Sequence, residues 1–182
     1  MFNYLIKIEY EGTNFVGWQS QKNGQSIQDS IEKVLKKVLG RKIKIIGAGR
    51  TDKGVHAYGQ CANFFYDKEI KDKYKFLSSV NFFLKKKLIS IISLKNKKLN
   101  FNARHNAKKK IYKYIIFNRL ICPPLHQHRS WVIKKKLDFN SMKKGIKYFL
   151  GSHNYSSMRA SSCSAKNPER TITKAQIKKK KR

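Results

Sequence analysis

An α+β fold with a mixed, mainly antiparallel sheet is predicted for this chain on three observations. Short segments rich in β-branched and aromatic residues alternate with helical segments in its first hundred residues. One of those helices carries both of its end signals. Apolar residues make up 40% of the 182 and aromatics 12%, enough for a real core.

Residues 2 to 10 (Phe-Asn-Tyr-Leu-Ile-Lys-Ile-Glu-Tyr) read as a buried strand, broken by Glu11-Gly12-Thr13-Asn14. From Ser26, the spacing Ile27, Ile31, Val34, Leu35, Val38, Leu39 lays one apolar stripe along a helix, with Ser26 as N-cap and Gly40 as its stop. Ile43 to Ala48 reads as a strand, Gly49 to Gly54 as a turn and Ala57 to Tyr66 as a strand. A helix over Tyr74 to Leu84 and a strand over Leu88 to Leu94 complete the unit. Strand, helix, strand, strand, helix, strand is the ferredoxin-like split βαβ order, shared with RNA-recognition folds.

A second, incomplete unit of the same type is expected to follow, giving domains at 1–104 and 105–182. Lys110 to Asn118 alternates around Tyr112 and Tyr114, and Cys122-Pro123-Pro124 then interrupts regular structure. Asp138 or Asn140 caps a helix with Met142, Ile146, Phe149 and Leu150 on one face, ended by Gly151. Ser152 to Arg170 is small, polar and basic, as loops are, and a strand starts at Thr171-Ile172-Thr173.

The charge balance points to polyanions. Forty-two Lys and Arg against 10 Asp and Glu give +32. Part of the lysine excess can be drift toward AT-rich codons, yet such a surface binds nucleic acid through counterion release whatever its history. Charge therefore predicts affinity and not specificity. Cys61, Cys122 and Cys163 are odd in number and without a C-x-x-C pair, which argues against a disulfide framework and a zinc site and for a reducing cytosol. His105, His126, His128 and His153 lack accompanying ligands at useful spacing, so no metal is expected. The N-terminus has no signal-peptide core, and no apolar run reaches membrane-spanning length.

Gly49-Arg50-Thr51-Asp52-Lys53-Gly54 places one carboxylate among cations, which favours its ionised form and suits it to nucleophilic attack. Taken by itself, Thr-Asp-x-Gly is also ordinary turn chemistry.

The longer string Ala48-Gly49-Arg50-Thr51-Asp52-Lys53-Gly54-Val55-His56-Ala57 resembles the signature of the tRNA pseudouridine synthase A family. The likeness extends through Gly17-Trp18-Gln19-Ser20-Gln21, Ser26-Ile27-Gln28, Phe101-Asn102-Ala103-Arg104, Ala107 to Tyr114 and Gly151-Ser152-His153-Asn154-Tyr155. It implies an isomerase that converts uridine to pseudouridine in the anticodon stem-loop, nucleotides 38 to 40, without a cofactor. It assigns the nucleophile to Asp52 and stacking on the target uracil to Tyr112. Substrate binding falls to Arg50, Arg104 and Lys110. Arg50 either contacts phosphate, fills the space left by the flipped base, or is a solvated turn residue. His56 is assigned RNA contact or packing. Lys53 departs from the small residue usual there.

The implied partners are tRNA and a second copy of the chain, and the implied location is cytoplasmic. The family continues past the Arg170-Thr171-Ile172 region with a strand, a helix carrying the Arg partner of the nucleophile, and a final strand. The chain is accordingly expected to be C-terminally incomplete, which makes a catalytically impaired basic RNA-binding protein or tRNA chaperone, or a decaying truncated gene product, the alternative readings.

Overall fold

In the computed structural model, residues 1–159 and 167–180 are described, and Cys163, Lys181 and Arg182 lie outside them. The chain divides into two compact units, Met1–Lys113 and Tyr114–Arg182.

The first unit is built from β1 (Phe2–Tyr10), α1 (Ile27–Leu39), β2 (Ile45–Gly47), β3 (Ala57–Tyr66), α2 (Lys73–Leu84) and β4 (Ile89–Lys97). The sheet order is β2-β3-β1-β4 and every neighbouring pair is antiparallel, the arrangement the predicted element order requires. Side chains on a strand alternate between faces, so Tyr4, Ile6, Ile8 and Tyr10 all point to one side of β1, where none is more than 3% exposed. They share a core with Ile27, Ile31 and Leu35 of α1 and Phe76, Val80 and Leu84 of α2.

Local signals set the helix ends. Ser26 Oγ accepts the Asp29 N–H at 3.0 Å, and Gly40, left-handed at φ 74°, closes α1 through its N–H to the Lys36 carbonyl. Asp72 caps α2 by accepting the Lys75 N–H at 2.8 Å. A single 3-10 turn, Lys85–Lys87, leads from α2 to β4.

The opposite face of the sheet carries a polar clasp. Asn63 of β3 donates to Asn3 Oδ1 on β1 at 2.9 Å and accepts the Ala103 N–H at 2.8 Å. Asn3 donates in turn to the carbonyls of Lys98 and Phe101. Both asparagines are buried, and together they pin residues 98–103 against the sheet.

In the second unit, β5 (Ile116–Asn118) pairs in parallel with β6 (Trp131–Ile133), and β7 (Gly151–Asn154) pairs antiparallel with β8 (Glu169–Ile172). The fold is thus α+β and mainly antiparallel, the one parallel pair among the described residues being β5–β6. Three local expectations are corrected. The alternation from Lys110 yields a paired strand only at Ile116–Asn118, and Ile111, Tyr112 and Tyr114 before it are exposed, so little burial favours a ladder there. The helix after Asp138 is α-helical only over Phe139–Gly145 (α3) and tightens to a 3-10 turn at Ile146–Phe149. Asp138 is its cap, and hydrogen bonds from the Ser141 hydroxyl and the Ser141 and Asn140 amides hold its carboxyl below the usual range. The loop expected from Ser152 to Arg170 begins and ends as the β7–β8 pair, joined across the ladder by Ser152 and Thr171 hydroxyls 2.7 Å apart.

Candidate active site

Asp52 lies on the loop between β2 and β3, with its side chain exposed. What distinguishes this loop from an ordinary turn is how many separate parts of the unit hold it. Its entrance is tied to β3, where the Ala48 N–H donates to the Cys61 carbonyl at 2.8 Å and Gln60 Nε2 donates to the Gly49 carbonyl at 2.6 Å. Its centre is tied to β1 and to the segment before α1. Tyr10 Oη and Thr51 Oγ1 are 2.8 Å apart, and the Trp18 N–H donates to the Thr51 carbonyl at 2.9 Å. Its exit closes on itself, with the Val55 N–H donating to the Asp52 carbonyl at 3.2 Å.

The Gly17-Trp18 segment is a two-way coupler. A helix begins with amides that have no intrahelical partner. Here the Ile27 and Gln28 N–H groups donate to the carbonyls of Gly17 and Trp18, both at 3.1 Å. The Trp18 amide faces the other way, to Thr51, so the start of α1 and the Asp52 loop share one support. Gly17 is needed there twice over: its φ is +117°, and a methyl on it would lie 2.6 Å from the Thr51 carbonyl oxygen. Trp18 itself is 2% exposed, with its ring 6.2 Å from that of Tyr10. Burial pushes the Tyr10 hydroxyl above its ordinary pKa, the Thr51 hydrogen bond pulling weakly the other way, so Tyr10 is a neutral hydrogen-bonding partner.

The next stretch of the loop is held by the chain leaving β1. The Gly12 N–H donates to His56 Nδ1 at 3.1 Å, with Glu11 Oε1 3.3 Å from the same nitrogen.

Arg50 is exposed beside Asp52. The ammonium group of Lys110 rests over Gly49, where a methyl group would come within 2.9 Å of Nζ. Lys113 Nζ lies 5.9 Å from the ring of Tyr58, near the start of β3. The segment 110–113 therefore touches the chain on both sides of Asp52, and it carries Tyr112, which is 74% exposed. Arg104 is also exposed, and it follows directly on Ala103, the residue held by Asn63. Four of the five site residues named from the sequence (Asp52, Arg50, Lys110 and Tyr112) thus lie on the loop or on the segment that borders it.

Sequence reasoning missed Tyr10, Asn3 and Asn63. Tyr10 looked like a strand end, and the asparagines looked like polar interruptions of β-strands. Their partners are distant in sequence, so no local signal could have found them.

The tRNA pseudouridine synthase family model matches residues 6–106, the stretch that contains both helices of the first unit, most of its sheet and the Asp52 loop. The chain is 53% identical over 180 residues to tRNA pseudouridine synthase A of Pelagibacter ubique, covering 99% of this chain and 73% of that one. It is 43% identical over 173 residues to tRNA pseudouridine synthase A of Acetivibrio thermocellus, covering 95% and 70%. A Thermoanaerobacter protein of the same name matches at 40% over 172 residues, covering 94% and 70%. With identity at this level running through both units and across the anchored loop, the chain belongs to the tRNA pseudouridine synthase A family, a family of isomerases.

Proposed function

We propose that the chain isomerises uridine in the anticodon stem-loop of tRNA, nucleotides 38 to 40, with Asp52 as nucleophile. The observation that carries this reading is the placement of Asp52: an exposed carboxylate on a loop fixed from β1, β3 and the Trp18 segment before α1. A nucleophile needs access to substrate and a defined position, and this loop supplies both.

Isomerisation breaks the N1–C1′ bond of uridine, turns the base in place and forms a C5–C1′ bond. N1 ends protonated and the C5 hydrogen passes to solvent, so the balance needs no oxidant or cofactor. A carboxylate can attack C6 of the uracil or C1′ of the sugar, or remove a proton to give a glycal, and in the first two cases it leaves again.

The uridine must leave its stack to reach such a group. Tyr112 presents an exposed ring on which it can stack, worth about 1–3 kcal/mol per base in comparable sites. Lys110 and Arg50 supply cations at the loop for the neighbouring phosphates, and Arg104 extends them along the segment after the clasp. The net charge of +32 favours the same partner. The protein acts as a homodimer in the cytoplasm on this reading, and sedimentation velocity reports the first of these directly.

Carbodiimide mapping of pseudouridine on an unmodified tRNA transcript, after incubation with the protein, tests the site assignment. Modification confined to nucleotides 38 to 40 is expected. Modification elsewhere in the tRNA would remove the anticodon arm from the account.

A further inference from the structure

The end of the sheet that bears the Asp52 loop bears a second structure. β1 finishes at Tyr10, opposite Ala57 at the start of β3 and Ile89 at the start of β4. The turn that feeds β4, Lys85-Lys86-Lys87-Leu88, therefore sits at the same end as the loop that feeds β3. It is attached directly to the exit of β1, since the Glu11 N–H donates to the Leu88 carbonyl at 3.0 Å. β3 and β4 are separated by two strand spacings, roughly 10 Å. That is the length of a few stacked nucleotides at about 3.4 Å each.

The chemistry of this turn is one-sided. From Lys73 to Leu88 the chain has lysines at 73, 75, 85, 86 and 87 and no carboxylate. Lys85 and Lys86 are exposed, and Phe82, one helical turn earlier, is 75% exposed on the outer surface of α2. Phe82 meets the ring of Phe83 edge-on at 5.2 Å, and the ammonium group of Lys37 lies 4.1 Å from the Phe83 centroid. The turn is a fixed structure: the Leu88 N–H closes it on the Lys85 carbonyl at 3.0 Å, and Leu88 is held at φ 55°, a conformation that side chains rarely adopt.

We propose that Lys85, Lys86 and Lys87, together with the outward face of Phe82, form a second contact shelf for the tRNA strand that carries the target uridine. Phosphates lie on the lysines and an unpaired base lies on the ring. Lysines set phosphate register without reading sequence, and an exposed ring among cations accepts any base face. This shelf rests on the assignment of Asp52 as the point where the target base is delivered.

The test compares tRNA affinity and its salt dependence for the intact chain, for Lys85→Gln/Lys86→Gln/Lys87→Gln and for Phe82→Ala. Lys71→Gln/Lys73→Gln/Lys75→Gln is the charge-matched control, at the other end of α2. The shelf triple is expected to weaken binding at least tenfold and to flatten the slope of log K against log salt by about 2, from roughly 0.7–0.9 per phosphate contact. Phe82→Ala is expected to weaken binding about tenfold, with turnover at saturating tRNA unchanged in both variants. A shelf triple no weaker than the control triple would overturn the proposal, and so would Phe82→Ala binding within twofold of the intact chain. A chain that binds tRNA without turning it over contradicts the catalytic reading instead, while the comparison of the two triples still decides the shelf.

Discussion

Tyr10 Oη lies 2.8 Å from Thr51 Oγ1, and this contact joins the core strand of the sheet to the residue beside Asp52. Tyr10 is 3% exposed, with its ring tilted against that of Trp18, whose amide holds the Thr51 carbonyl. Its hydroxyl is thus a rigid post, set by the packing of the sheet and transmitted to the loop by one hydrogen bond.

Tyr10→Phe keeps the ring and removes that bond. It is expected to lower stability by about 1 kcal/mol, the usual net value of one hydrogen bond, and to lower kcat more than it raises KM for tRNA. Chemical denaturation and steady-state tritium release measure the two effects. Unchanged kcat would mean that Trp18 and Gln60 position the loop without Tyr10.

The same residue gives a pH dependence. Burial raises the Tyr10 pKa above 10.0, so the folded state holds the phenolic proton more tightly than the unfolded chain does. The unfolded state loses its proton first as pH rises, so this contribution is complete below pH 10.0 and is lost as pH climbs through the folded value. The stability difference between the intact chain and Tyr10→Phe should be flat at neutral pH and should shrink above pH 10.0. Denaturation midpoints of both proteins across that range check it.

Gly17→Ala puts a methyl group 2.6 Å from the Thr51 carbonyl oxygen in a backbone at φ +117°. Both the clash and the left-handed backbone oppose it, and the expected loss is about 2 kcal/mol. Because Gly17 and Trp18 also accept the first amides of α1, helix onset and loop position should be disturbed together. Amide exchange should quicken at Ile27 and Gln28 as well as at residues 51–55.

Asn63→Leu fills the space but leaves the Ala103 N–H and Asn3 Oδ1 without their Asn63 partner in a buried site. A loss of about 2–3 kcal/mol is expected. Proteolysis should then open the chain near residues 98–104. Asn63→Asp should be no milder, because its carboxylate keeps the Ala103 bond but faces Asn3 Oδ1 acceptor to acceptor.

Much of the first unit was legible in sequence because its signals are local. Ser26 and Gly40 sit at the two ends of α1, and the alternation of Tyr4, Ile6, Ile8 and Tyr10 marks the buried face of β1. The Asp52 loop was legible through its motif. β7 was not, since Gly151-Ser152-His153-Asn154 is exposed throughout and carries no apolar alternation, whereas its partner β8 overlaps the strand expected at Thr171-Ile172. Tyr112 and Tyr114 misled in the opposite sense: their period looks like a strand, yet both are exposed at 74% and 86%. The supports of the site, Tyr10 to Thr51 and Asn63 to Asn3 and Ala103, join residues forty or more positions apart and are written only in the fold.

Release of tritium from tRNA labelled at C5 of uracil tests the central assignment most directly, since that hydrogen leaves only when the glycosidic bond is remade at C5. The chain is expected to release label, and Asp52→Ala and Asp52→Asn are expected to release none above background while retaining tRNA binding and a cooperative unfolding transition. Turnover that survives either substitution would contradict the assignment of Asp52 as nucleophile.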